Sequence, residues 1–151
     1  ASYKLDKKTG GAKIDKEARK YLNQINLDYA HGTGHGVGYF LNVHEGPQSI
    51  SKNNKTNFQS GMIVSNEPGY YEKNKFGIRI ENLIYVKKYK SKYVFDNLTM
   101  VPIDKSLINQ SILSKSEKSW LNKYHNKVFK NLRNFMDKVE LPELQKACSA
   151  I

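Results

Sequence analysis

Cysteine and arginine are scarce in this 151-residue sequence, and long apolar runs are absent. Its single cysteine, Cys148, cannot close an internal disulfide, which excludes a disulfide scaffold and fits a reducing compartment. A catalytic thiol needs neighbours that lower its pKa. "KACSAI" at the end of the chain offers only Lys146, so Cys148 is not read as a nucleophile. No stretch approaches the ~18 apolar residues of a membrane-crossing helix, so no membrane partner is expected. Only Arg19, Arg79 and Arg133 carry guanidinium groups among 25 basic residues. Nucleic-acid readout favours arginine forks, so the net charge of +11 reads as a lysine-heavy surface rather than a nucleic-acid interface. Internal repeats, low-complexity segments and a secretory signal pattern are also missing. What remains is a chain long enough to bury roughly 70% of its unfolded surface around one core.

Helical spacing runs from Ile14 to Ile25 through Ala18 and Leu22, with Asp15 as the expected N-cap. From Leu27 to Val43 the texture is β-forming and broken by glycines. "SKNNKTNFQS" (Ser51 to Ser60) is a polar loop. "GMIVSNEPGYY" reads as a strand ending in a Pro-Gly turn, "FGIRIENLIYVKKY" as one long strand and "KYVFDNLTMVP" as another. Helix returns from Ser114 to Asp137, capped by Ser114 or Ser116 with Glu117 near its start. Its apolar stripe is Trp120, Tyr124, Val128, Leu132 and Phe135, and Pro142 opens a short final helix.

"HGTGHGVGYFLNVHEGP" (His31 to Pro47) holds three of the four histidines, with glycine at alternate positions from Gly32 to Gly38. On a strand, His31 and His35 would share a face, and His44 would return on the neighbouring strand. Glycine between them lets a backbone or ligand approach closely. Glu67 ends an apolar strand before Pro-Gly. Glu81 sits inside "IRIENLIYV", where a charge is costly unless paired or liganded, and Arg79 shares its face. Imidazole with two strand-borne carboxylates suits Mn²⁺, Fe²⁺, Co²⁺ or Zn²⁺.

Taken together, His31 to Pro47, "SNEPGYY" (Ser65 to Tyr71) and "FGIRIEN" (Phe76 to Asn82) resemble the pita-bread metallopeptidases. That group includes methionine aminopeptidase, prolidase and aminopeptidase P. Within it, "FLNVHEGP", "IDKEAR" (Ile14 to Arg19) and "WLNKYH" (Trp120 to His125) resemble the eukaryotic cytosolic aminopeptidases P, or Xaa-Pro aminopeptidases. The resemblance runs from about Thr9 to Asn134. It implies an α+β fold: the second half of a pita-bread domain over residues 1–103, with an antiparallel curved sheet and helices on its outer face, and a helical C-terminal extension over 104–151. It also implies two divalent metal ions, manganese foremost, with zinc or cobalt as alternatives. His35 and Glu67 resemble ligands of one ion, Glu67 being placed to take a proton from the bridging water, and Glu81 resembles the carboxylate shared by both. His31 and His44 resemble the non-ligand catalytic histidines: one lines the proline side of the pocket, the other donates to the scissile carbonyl. Tyr71 and Arg79 resemble the partners that hold the metal carboxylates.

The family uses two further aspartate ligands. Asp6, Asp15 and Asp28 are the aspartates before His35, and none stands in a matching context. The expectation is therefore a fragment, inactive and marginally stable alone, that needs a companion N-terminal segment bearing the missing pair. Peptides with proline second are the expected substrates, and the parent is expected to be a cytoplasmic homodimer. A prolidase acting on dipeptides is the alternative enzyme. A non-catalytic pita-bread module binding protein or nucleic acid is the alternative of another class.

Overall fold

A computed structural model describes residues 4–6, 8–40 and 42–151. The chain divides into two compact units between Thr99 and Met100. In the first, helix α1 (Gly11–Asn23) follows β1 (Lys4–Leu5) and starts three residues ahead of Ile14. Its N-cap is Gly10, which makes no side-chain cap bond. Asp15, expected at the cap, lies instead within the helix and is 1% exposed. It faces inward with Ile14, and its charge is met by Arg19 one turn on, at 2.8 Å.

The main sheet has the order β1-β8-β7-β4, antiparallel throughout, with β4 Ile63–Asn66, β7 Asn82–Tyr89 and β8 Lys92–Asn97. Burial alternates along β7, with Asn82, Ile84 and Val86 inside, as a strand with one covered face requires. Leu5, Ile14, Ile50, Phe58, Val64, Ile84 and Val86 form the core of this unit. Two short ladders complete it: β2 (Gly34–His35) with β3 (Ser49–Ile50), and β5 (Gly69–Glu72) with β6 (Phe76–Arg79).

Three sequence expectations need correction here. "FGIRIENLIYVKKY" is not one strand: Ile80 and Glu81 separate β6 from β7, which lie in different sheets. Pro68 follows the end of β4, but Gly69 opens β5 rather than a turn. Between Leu27 and Val43 the only strand among the described residues is β2. Aromatic β-formers there did not secure a strand, because Tyr39 is 97% exposed and Phe40 73%, with no sheet face to pack on.

In the second unit, Ser114 and Glu117 form a capping box that starts α2 (Lys115–Leu132). The helix ends five residues earlier than its spacing suggests and passes into a 3₁₀ turn over Arg133–Phe135. Its buried face is Leu121, Tyr124, His125 and Val128, while Trp120 and Phe135 of the expected stripe are exposed. Leu144 of α3 (Glu140–Ala147) closes this core. Pro142 is the third residue of α3, where its missing N–H breaks no helical bond.

Candidate metal centre

Gly34 allows β2 to lie against β4. A Cβ there would fall 1.9 Å from the Ser65 carbonyl oxygen, so only a residue without a side chain fits. The close approach sets the Ser65 hydroxyl between two candidate ligands. It accepts the His35 N–H at 2.9 Å and donates to Glu67 Oε1 at 2.8 Å. Just past the end of β4, the Glu67 N–H donates to the Thr33 carbonyl at 2.8 Å.

His35 Nδ1 lies 3.0 Å from the Gly36 carbonyl oxygen, an acceptor that assigns the ring proton to Nδ1. The Nε2 lone pair is left facing Glu67 Oε1 at 3.6 Å, beyond hydrogen-bond range. Glu81 joins them from the break between β6 and β7, with its side chain 41% exposed rather than buried inside a strand. One ligand atom from each of His35, Glu67 and Glu81 lies within 4.8 Å of the others, the only such group among the described residues. Arg79 Nε stands 3.3 Å from Glu81 Oε2 and 3.8 Å from Glu67 Oε2. Tyr71 beside it, and then the Glu81 and Glu67 charges, hold the Arg79 guanidinium above its ordinary pKa. Two carboxylates and an imidazole with Nε2 turned towards them fit a divalent cation.

The other two histidines sit differently from the sequence expectation. His31 is in a bend before β2, not on a strand face shared with His35. Its Nδ1 donates to the Gly32 carbonyl at 2.7 Å and its Nε2 accepts from the Tyr71 hydroxyl at 2.7 Å. His44 is also in a bend, not on a neighbouring strand. It still reaches the centre, because its ring packs on that of His35 with centroids 4.1 Å apart. Its nitrogens make no hydrogen bond to the described residues. Ser65 and Thr33 were missed by the sequence reading. The available signal was the serine two positions before Glu67, which puts hydroxyl and carboxylate on one side of an extended chain.

Residues 4–88 match the family model of metallopeptidase family M24, and residues 91–151 match the model for the C-terminal region of peptidase M24. The chain belongs to metallopeptidase family M24. It is 46% identical over 144 residues to Xaa-Pro aminopeptidase 1 of Dictyostelium discoideum, covering 89% of this chain and 23% of that protein. Among solved structures it is similar to the X-prolyl aminopeptidase of Caenorhabditis elegans, described as a cytosolic enzyme with a di-nuclear active site. That match has a TM-score of 0.89 and 38% identity, and covers 100% of this chain and 26% of the other. Prolidase from Pyrococcus furiosus matches with a TM-score of 0.55 and 29% identity, over 63% of this chain and 27% of the prolidase. The chain thus spans about a quarter of the length of the proteins it matches. Its α+β fold with antiparallel sheets is that of the pita-bread M24 peptidases.

Proposed function

We propose that the full-length protein is a metal-dependent Xaa-Pro aminopeptidase, which releases the N-terminal residue from peptides with proline second. The convergence of His35, Glu67 and Glu81 within 4.8 Å, in an M24 chain that matches an X-prolyl aminopeptidase along its whole length, carries this reading. These three residues would hold the metal, with Glu81 shared between two ions, manganese foremost. The remaining two carboxylate ligands would come from a segment outside this chain, which alone would be inactive. Ions bound there would supply an activated water and positive charge for the developing oxyanion.

The side chains of this unit divide the remaining work. Glu67 accepts the proton released on attack, while the Ser65 hydroxyl steadies its Oε1. His44 donates to the scissile carbonyl oxygen, a role supported by its lack of any competing hydrogen bond to the described residues. His31 has both nitrogens committed, to Gly32 and Tyr71, and therefore lines the proline side of the pocket. Arg79 orients the two carboxylates, and Tyr71 orients Arg79. The bond before proline has no N–H, so pocket shape selects it. Homodimer formation through the C-terminal region and a cytosolic location belong to the same reading, the latter supported by the cytosolic nematode relative.

Manganese-loaded full-length protein, offered a tripeptide with proline second, tests the proposal. Release of the first residue is expected. Cleavage of an Xaa-Pro dipeptide alone would point to a prolidase, a reading less compatible with the match to a prolidase over only 63% of this chain against 100% for the X-prolyl aminopeptidase. Absence of both activities, with no stoichiometric metal uptake, would point to a non-catalytic binding module.

A further inference from the structure

Arginine seldom lies fully buried, yet Arg19 in α1 is 3% exposed and lies outside the metal centre. Burial works against its charge, and the hydrogen bonds to Asp15 and Asp28 more than offset this. Four of its five N–H donors are used. Nε donates to Asp15 at 2.8 Å, and Nη1 to Asp28 and the Tyr29 carbonyl, both at 2.7 Å. Nη2 donates to the His31 carbonyl at 2.6 Å. The guanidinium also lies over the Tyr29 ring, 3.9 Å from its centroid. Tyr29 in turn packs on the His31 ring at 4.9 Å. On the far side, Asp15 accepts from the Thr33 hydroxyl at 2.6 Å. One helical ion pair thus grips the loop of residues 28–33 at both ends.

We infer that Arg19 is a positioning residue: its fork on the Tyr29 and His31 carbonyls, with Tyr29 wedged beneath, sets where the His31 ring stands against Tyr71. This rests on the reading above that His31 lines the substrate pocket. The geometry needs a planar fork that donates in three directions and stacks on an aromatic ring. Lysine offers the charge but neither the plane nor the fork. An ion pair serving only to hold α1 in place would have no use for the two loop carbonyls.

The test is a pair of mutant cycles in the full-length, manganese-loaded protein, reading kcat/KM on a tripeptide with proline second. Arg19→Lys is expected to lower kcat/KM at least tenfold with metal content unchanged. In a His31→Gln background the same substitution is expected to cost less than twofold, because the ring it positions is gone. Asp28→Asn, at the half-exposed end of the network, is the milder variant should Arg19→Lys not fold. It is expected to cost about threefold in the wild-type background and nothing beside His31→Gln. Equal losses in both backgrounds, or no loss from either variant, would overturn the inference while leaving the peptidase reading intact. A wild-type protein that binds metal but cleaves no proline peptide would overturn both.

Discussion

Substituting Gly34 by alanine should damage the candidate metal centre without touching any of its three proposed ligands. The new Cβ would meet the Ser65 carbonyl oxygen at 1.9 Å and the Ser65 carbonyl carbon at 2.8 Å. Real Cβ contacts do not fall below 3.0 Å, and the obstacle is backbone, so β2 must draw back from β4 by about 1 Å. Overpacking of this kind costs about 1–3 kcal/mol. Two hydrogen bonds flank the clash, from the His35 N–H to Ser65 Oγ and from the Glu67 N–H to the Thr33 carbonyl. Stretching both adds about 1 kcal/mol each at most. A loss of about 3 kcal/mol lowers Tm, by fewer degrees in the full-length protein than in a chain of 151 residues, because the unfolding entropy grows with size. Because the same shift separates His35 from Glu67, manganese affinity should fall about 10–100-fold. Gly32 is the control: its Cβ would find nothing nearer than 3.6 Å. Thermal unfolding and manganese titration of both variants in the full-length protein check the reasoning. Gly34→Ala with wild-type affinity, or equal damage from Gly32→Ala, would refute it.

Further expectations concern the hydroxyl bridge, the helix cap and acid stability. Ser65→Ala removes the group joining the His35 N–H to Glu67, and should weaken manganese binding about tenfold in a calorimetric titration. Ser114→Ala breaks the α2 capping box, which should cost about 1 kcal/mol, a fall of about 3 °C in Tm, with no change in metal binding. Asp28 is held down to about 2, by the Lys52 hydrogen bond first and then by Arg19 against the opposing effect of burial. A folded-state value below the unfolded one means stability present above about pH 4 and lost as pH falls towards 2, which a series of Tm values against pH should show and Asp28→Asn should flatten. His125 is buried with Nε2 accepting from the Ile103 N–H, and burial, then the Lys105 charge, lower its pKa. The second unit should therefore be fully stable above about pH 6.5 and lose stability as pH falls below it, an effect absent in His125→Gln.

The sequence made the candidate trio readable because each member broke a local rule. His35 stood among glycines, Glu67 before Pro-Gly, and Glu81 in an apolar run. Long periodic segments such as α2 and β7 were readable for the opposite reason, since one face of each packs on a core. Tertiary contacts decided the rest. Asp15 looks like a cap by position, but its partners Arg19 and Thr33 come from the next turn and a distant loop. His31 and His44 reach the site from bends rather than from strand alternation: Arg19 holds the His31 carbonyl, and next to His44 the Glu45 carbonyl closes on Gly36. The break at Glu81 carries no turn residue; it exists because β6 and β7 pair with different strands.

The most direct test of the central claim is a manganese titration of metal-stripped full-length protein, compared with its Glu81→Gln variant. Wild-type protein should take up two ions per chain. Glu81→Gln, lacking the carboxylate assigned to both ions, should lose at least one of them. Uptake by Glu81→Gln with wild-type stoichiometry and affinity would contradict the assignment of His35, Glu67 and Glu81 as a metal centre.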